Sequence, residues 1–399
     1  MGFKINDHVK WVGNIDWDLR KFHGEEYSAH RGSSYNSYLV EDEKTALIDT
    51  VWVPFSEEFV QNLKEEIDLK KIDYIIVNHG EIDHSGGLVD LMKEIPDTPI
   101  YCTANAVKSL RGQFHQDWNF VEVKTGDTLN LGKRTLTFVE ARMLHWPDSM
   151  MTYMDQDNII FSNDAFGQHY ASSEMYNHTV DQSELFQEAT KYYANILTPF
   201  SKLVEKKINE LLELGIPVDM ICPSHGVIWK ENPLQIVEKY MEWAKDYQEN
   251  QITITYETMW ENTRKMAEAI GEGILQADPS VKLKLINVGK TDKNDVLTEV
   301  FKSKGVVMGS STINNGILSN TAGLLEMIKG LKFKKKSGAA FGSYGWSGES
   351  SKIIEEGLKG SGFNVMKEVY RVLWTPDKQG TQEGIAFGKE FVNHLNQQL

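Results

Sequence analysis

Cysteine is nearly absent from this 399-residue chain: Cys102 and Cys222 are the only two. Their spacing fits no zinc, iron–sulfur or disulfide pattern, which argues for a reducing compartment and against a built-in iron–sulfur or rubredoxin-type centre. Basic residues are also in short supply. Lys plus Arg number 42 against 57 Asp plus Glu, a formal net charge of −15. So acidic a chain repels phosphate backbones, and nucleic acid is excluded as an expected partner. No run approaches 18 consecutive apolar residues, and the start, MGFKINDHVKWVG, lacks the apolar core of a signal peptide. No membrane association is expected, and the expected location is the cytoplasm. Histidine is missing from nearly the whole second half: ten of the eleven lie at or before His225, and only His394 lies beyond.

What is present is concentrated in residues 78–87, NHGEIDHSGG. Four side chains able to ligate a metal, His79, Glu81, Asp83 and His84, fall within six positions. The preceding run, 71–78, is β-branched and apolar and predicts a buried strand, while 86–95 has helical spacing. Residues two apart share a face in an extended segment, so His79, Glu81 and Asp83 are expected to converge on one point and His84 to turn toward a neighbouring one. Imidazoles mixed with carboxylates suit a first-row metal. This density exceeds what one ion with open positions needs, so two metals are expected. On its own the cluster could be a charged loop with solvated histidines. The rest of the first region tips the balance, because His145, Asp164 (after the apolar run 158–163) and His225 (after 218–222) each follow a predicted strand. Strand-end loops of a rigid scaffold are where metal sites are commonly built. His8, His30, His115, His169 and His178 are read as surface or hydrogen-bonding residues, and His23 as a support to the ligands.

The remaining elements of this region are short strands over 1–50, with a hairpin over 34–50 ending at Asp49, a helix over 55–67, strands over 98–103 and 134–141, and one long helical stretch over 183–215. The polar segment 244–251 is read as the domain boundary. The expected domains are therefore 1–248 and 252–399.

The order His79-x-Glu81-x-Asp83-His84, then His145, Asp164 and His225, resembles the metallo-β-lactamase-like domain of the flavodiiron proteins. The zinc hydrolases of that fold carry a second His where this chain has Glu81, and a carboxylate there makes the site harder and favours iron. The resemblance implies an αββα sandwich. It implies one iron held by His79, Glu81 and His145, another by Asp83, His84 and His225, and Asp164 bridging the two.

From 252 the rhythm becomes strand–helix alternation, with strands expected over 252–257, 282–288, 305–313, 337–345 and 364–373. This predicts a doubly wound parallel sheet, flavodoxin-like, with order 2-1-3-4-5 and a crevice formed by the loops after strands 1, 3 and 4. The first loop offers Thr258, Met259, Trp260, Asn262 and Thr263, hydroxyls and an amide at a helix N-terminus with no Lys or Arg, which suits a small flavin phosphate. Lys284 stands where a phosphate loop ending in Gly289-Lys290-Thr291 would need its first Gly, so nucleotide triphosphate binding is rejected. The other two loops offer Ser311, Thr312, Ile313, Asn314 and Asn315, then Ser343, Tyr344, Gly345, Trp346, Ser347 and Gly348. Their glycines allow close backbone approach, and Tyr344 or Trp346 can stack on a flat ring. These segments look like the family's three flavin mononucleotide loops, with Ser311 standing where relatives often have Pro.

A two-electron carrier joined to two metals implies reductive chemistry. The resemblance implies a diiron–FMN oxidoreductase that reduces dioxygen to water or nitric oxide to nitrous oxide, in oxygen or nitrosative-stress detoxification. No donor domain is recognised before Leu399, so an external donor is expected, rubredoxin or a reduced deazaflavin. A head-to-tail homodimer or dimer of dimers is expected. The rival readings are a zinc-dependent hydrolase with a flavodoxin module, and a non-enzymatic electron-transfer flavoprotein.

Overall fold

The computed structural model describes residues 2–397. Met1, Gln398 and Leu399, which fall inside the expected domain ranges, lie outside the described residues. The chain divides into two compact units. The first comprises Met1–Tyr193 and Phe200–Glu242, the second Ala194–Pro199 and Trp243–Leu399.

In the first unit two sheets face each other. One has seven strands in the order Phe3–Lys4, Val9–Trp11, Tyr38–Glu41, Thr45–Ile48, Ile72–Ile76, Ile100–Thr103 and Phe120–Val123. The other has five: Thr128–Asn130, Thr135–Glu140, Met150–Met154, Ile159–Asn163 and Met220–Pro223. Alternation along the strands explains the layering. Tyr38, Val40, Ala46, Ile48 and Ile76 pack with Leu136, Phe138, Ile159 and Phe161 of the opposite sheet. Leu39, Leu47 and Ile75 point the other way, into a second core with Phe59, Leu63, Leu88 and Leu110. Those last residues come from helices Ser56–Glu66, Leu88–Glu94 and Ala104–Phe114. The unit is the αββα sandwich expected from the sequence.

The 34–50 hairpin forms between Tyr38–Glu41 and Thr45–Ile48, but Ser33–Tyr35 pairs separately with Asn14–Asp16. The helical stretch expected over 183–215 is not continuous. Gln182–Tyr192 gives way to a wider π turn over Tyr193–Leu197 and a tight turn over Thr198–Phe200 before helix Ser201–Glu213. Pro199 cannot supply the N–H that a continuous helix requires. The interrupted residues Ala194–Pro199 belong to the second unit, where Asn195 Nδ2 donates to Asn294 O and Thr298 Oγ1, and Asn294 Nδ2 donates back to Asn195 Oδ1.

The second unit is a parallel sheet in the order Lys282–Asn287, Glu249–Glu257, Ser303–Ser310, Ser337–Tyr344 and then Asn364–Val365 with Tyr370–Leu373, the flavodoxin order 2-1-3-4-5. Two details depart from expectation. The first strand begins at Glu249, so part of the polar segment 244–251 is strand, not linker. The last strand, expected over 364–373, is two short pieces. Asn364–Val365 pairs with Ser337–Gly338, and Tyr370–Leu373 pairs with Phe341–Tyr344. Helices Asn262–Ala277 and Lys378–Asn396 cover one face, burying Met266, Ile270 and Ile274 with Phe387, Phe391 and Leu395. Among the described residues no helix is long and apolar enough to cross a membrane.

Candidate metal centre and flavin crevice

The metal-capable side chains of the first unit gather at one end of the sandwich because each follows a strand. His79 lies three residues past Ile72–Ile76, Asp164 directly past Ile159–Asn163, and His225 two residues past Met220–Pro223. His145 lies on the connection from Thr135–Glu140 to Met150–Met154. They form two groups in which one ligand atom from each member lies within 4.8 Å of the others. The first is His79, Glu81, His145 and Asp164, and the second is Asp83, His84 and His225.

Asp83 therefore does not join His79 and Glu81, as alternation in an extended segment predicted. The chain is extended at Glu81 (ψ 149°) but then makes a one-turn helix, Ile82–Ser85. That turn carries Asp83 and His84 together to the second group. Asp164 serves both. Its Oδ2 lies 3.6 Å from His79 Nε2 and 3.5 Å from His145 Nε2, and its Oδ1 lies 3.0 Å from His84 Nε2 and 3.6 Å from His225 Nε2.

The donor set fits bound cations on two grounds. First, Asp83 Oδ1 and Asp164 Oδ2 are buried without a hydrogen-bond partner, and His84 Nε2, also without a well-formed hydrogen bond, lies 3.0 Å from Asp164 Oδ1 and 3.2 Å from Asp83 Oδ2. Buried ligand atoms this close, left without a hydrogen-bond partner, suit a shared cation. Second, three carboxylates, Glu81, Asp83 and Asp164, are buried in one cluster, and buried charge must be compensated. Without metal the imidazoles do this. Burial disfavours the His84 imidazolium, but the Asp164 and Asp83 carboxylates pull its pKa up to about 9. Burial likewise opposes ionisation of Asp164, yet His84, His145 and His79 hold it well below the usual carboxylate range.

Four supporting residues carried little or no sequence signal. Asp148, fully buried, lies 3.0 Å from His79 Nδ1 through Oδ1 and accepts from Gly80 N through Oδ2 at 3.0 Å. Asp49 accepts from Asn78 N (2.7 Å) and Asn78 Nδ2 (3.0 Å), and from Asn163 Nδ2 (3.3 Å), so it ties together the residues that precede His79 and Asp164. Tyr192 Oη donates to Asp164 Oδ1 at 3.2 Å. His169, read from sequence as a surface or hydrogen-bonding residue, is buried, bonds Ser33 Oγ through Nδ1, and packs against His225 with ring centres 5.1 Å apart. His23, expected as a support, has Nε2 2.8 Å from Glu81 Oε1.

In the second unit a crevice of about 430 Å³ opens at the C-terminal ends of the strands. Met259, Trp260 and Asn262 line it from the first loop, Ser311, Thr312, Asn314 and Asn315 from the second, and Ser343, Tyr344, Gly345, Trp346 and Ser347 from the third. Thr258, Thr263, Ile313 and Gly348 do not line it. Thr263 sits beneath, where its Oγ1 meets Ser311 Oγ and Ser343 Oγ, each at 2.9 Å, and so locks the three loops together. Gly348 (φ 84°) turns the third loop under the Tyr344 ring. Ile313 closes a tight turn with Gly316. Two observations fit a phosphate. The helix Asn262–Ala277 has no side-chain cap at its N-terminus, and Thr258 Oγ1 is buried without a hydrogen-bond partner. Free amides and an unpaired hydroxyl at a helix start suit an anion. Trp374 also lines the crevice and was not expected from the sequence.

Comparison with known proteins agrees with both halves. Residues 34–226 match the ODP family beta lactamase and residues 254–388 match flavodoxin. The chain is 54% identical over 392 residues to the anaerobic nitric oxide reductase flavorubredoxin of Escherichia coli O1:K1, covering 98% of this chain and 82% of that protein. The corresponding Klebsiella pneumoniae protein is 55% identical over 379 residues, 94% of this chain and 78% of that one. Among solved structures, rubredoxin oxygen:oxidoreductase from Desulfovibrio gigas superposes with a TM-score of 0.96 at 38% identity, covering 100% and 99% of the two chains. The flavodiiron protein from Giardia intestinalis superposes with a TM-score of 0.92 at 30% identity, covering 100% and 98%. A metal-capable cluster that shares one carboxylate, a flavodoxin unit and this degree of identity leave one assignment: the chain belongs to the flavodiiron protein family.

Proposed function

We propose that the chain reduces nitric oxide to nitrous oxide and/or dioxygen to water, drawing electrons from an external donor. The observation that supports this most directly is Asp164, which reaches both ligand groups from a buried position. His79, Glu81 and His145 would hold one iron, Asp83, His84 and His225 the other, and Asp164 both. The crevice loops around Thr258, Ser311 and Tyr344 would hold flavin mononucleotide. When bound, the irons and flavin supply one-electron reducing chemistry to a small gas. The chain's own residues fix protons nearby. Burial and the Asp164 charge hold the Tyr192 hydroxyl well above its ordinary pKa, so it keeps its proton and donates a hydrogen bond to Asp164. Burial opposes protonation of His23, but the Glu81 carboxylate beside it raises its pKa, which suits a partly exposed imidazole to hold a proton at the rim.

Glu81 is the basis for expecting iron. Protein expressed with iron should carry two irons and one flavin mononucleotide per chain, and Glu81→His should shift metal preference toward zinc, both read by elemental analysis. Full activity with stoichiometric zinc alone would instead support a hydrolase. Failure of the flavin-reduced protein to be reoxidised by either gas would support a simple electron carrier.

Rubredoxin is the proposed donor, supported by the names of the Desulfovibrio and Escherichia relatives; a reduced deazaflavin is the alternative. For assembly, a head-to-tail homodimer or a pair of such dimers is proposed, with electrons crossing between chains. Trp260 and Trp346 at the crevice are 82% and 84% exposed in the single chain, apolar surface that a second copy would cover. A metal-dead variant (His79→Ala with Asp164→Ala) mixed with a flavin-dead variant (Thr258→Ala with Trp346→Ala) should regain gas reduction once subunits exchange. Inactive exchanged hybrids would rule out transfer between chains.

A further inference from the structure

The three loops expected to hold the flavin do not complete the crevice. A fourth wall comes from the loop after Tyr370–Leu373, through Trp374. That loop is fastened to two of the others. Trp374 N donates to Tyr344 O at 2.7 Å, and Thr375 Oγ1 donates to Asn262 Oδ1 at 3.0 Å. Arg371, on the strand leading into the loop, lies with its guanidinium 5.8 Å from the centre of the Tyr344 ring.

Trp374 is placed at a cost that packing does not explain. Its φ is +63°, a conformation that is an outlier for a bulky residue. Its side chain is 60% exposed, so it fills no core. What it rests on is Gly345. A Cβ at that position would lie 2.9 Å from Trp374 Cη2 and 3.0 Å from Cζ3. Gly345 has no positive φ, so the requirement for glycine comes from the indole and not from the backbone. A strained, exposed aromatic held against a flat glycine at a cofactor crevice is the kind of outlier that signals function.

We propose that Trp374 is a flavin-contacting residue that tunes the cofactor's reduction potential, and that the loop bearing it is a fourth flavin loop. This rests on the flavin assignment made above. An indole face is electron-rich. It favours the electron-poor oxidised isoalloxazine over the electron-rich reduced ring, so its contact lowers the potential, and protein groups beside a flavin tune its electronics in this way.

The test uses the full chain loaded with iron, stripped of flavin and titrated with flavin mononucleotide. For the wild type, tight binding and a shifted visible spectrum are expected. Trp374→Ala should weaken binding by about tenfold, which is about 1.4 kcal/mol, alter the visible spectrum and raise the flavin potential, with iron content unchanged. Trp374→Phe, which keeps an aromatic face, should fall between the two. Gly345→Ala, which pushes on the indole without removing it, should shift the spectrum and potential in the same direction as Trp374→Ala. A wild-type chain that does not bind the flavin would overturn the flavin assignment and this proposal together. A wild type that binds, with all three variants matching it in affinity, spectrum and potential, would overturn the proposal alone. The same holds if Trp374→Ala changes only the oligomeric state, which would make Trp374 an interface residue.

Discussion

Asp164→Ala is expected to lose most of its iron and to reduce either gas at least ~10²-fold more slowly, while keeping its flavin. The reason is geometric. Asp164 is 1% exposed, and its two oxygens reach different groups, Oδ2 toward His79 and His145 and Oδ1 toward His84 and His225. Tyr192 Oη and Ser224 Oγ, both at 3.2 Å from Oδ1, fix its orientation. Alanine removes the side chain that reaches both groups and leaves imidazoles crowded without their shared anion. The flavin is expected to stay because every residue lining its crevice lies between Met259 and Trp374. Elemental analysis, flavin absorbance and gas-consumption rates on one preparation decide the matter. A variant with full iron and unchanged rates would mean that another group bridges the sites.

Asp148→Asn is expected to weaken metal binding about 10–100-fold, although Asp148 belongs to neither ligand group. A carboxylate can accept from both His79 Nδ1 and Gly80 N, the two contacts seen at 3.0 Å. An amide can accept at only one of them and must present N–H₂ at the other. If the amide nitrogen faces His79, the imidazole must move its proton to Nε2, the atom directed at Glu81 and Asp164. A protonated Nε2 cannot ligate. If it faces Gly80, two buried donors oppose each other. Burial works against the Asp148 charge, but the bonds from His79 and Gly80 hold its pKa below the ordinary carboxylate value, so the carboxylate persists. Competition with a chelator measures the loss. Wild-type metal affinity in the variant would show that Gly80 and the strand end hold His79 without help.

The sequence made the ligand residues visible because each is a side chain of the right type on the connection that follows an apolar strand. Their grouping was less legible. Alternation assigned Asp83 to the company of His79 and Glu81, and only the one-turn helix Ile82–Ser85 shows why it leaves them. Asp148 could not be found by local pattern, since its bond to His79 spans 69 positions. His169 and Tyr192 lie in segments that look like ordinary connection and helix, and burial alone distinguishes them. In the second unit the strand order followed from the alternation of strands and helices. Trp374 did not, because it lies just past the stretch 364–373 read as the last strand, with no pattern to mark it, and that strand is broken between Val365 and Tyr370.

The excursion of Ala194–Pro199 into the second unit bears on how this protein can be taken apart. A fragment that stops near residue 248 looks like a natural cut between metal and flavin halves. It would nevertheless contain Asn195 without Asn294 and Thr298, whose hydrogen bonds it shares in the whole chain. It would also carry Ile196 and Leu197, buried in the whole chain, away from the unit they are grouped with. The complementary fragment would start with a gap where those six residues pack. No single cut therefore yields two self-sufficient pieces. Grafting the metal half onto a different electron carrier would require residues 194–199 to be redesigned along with the junction.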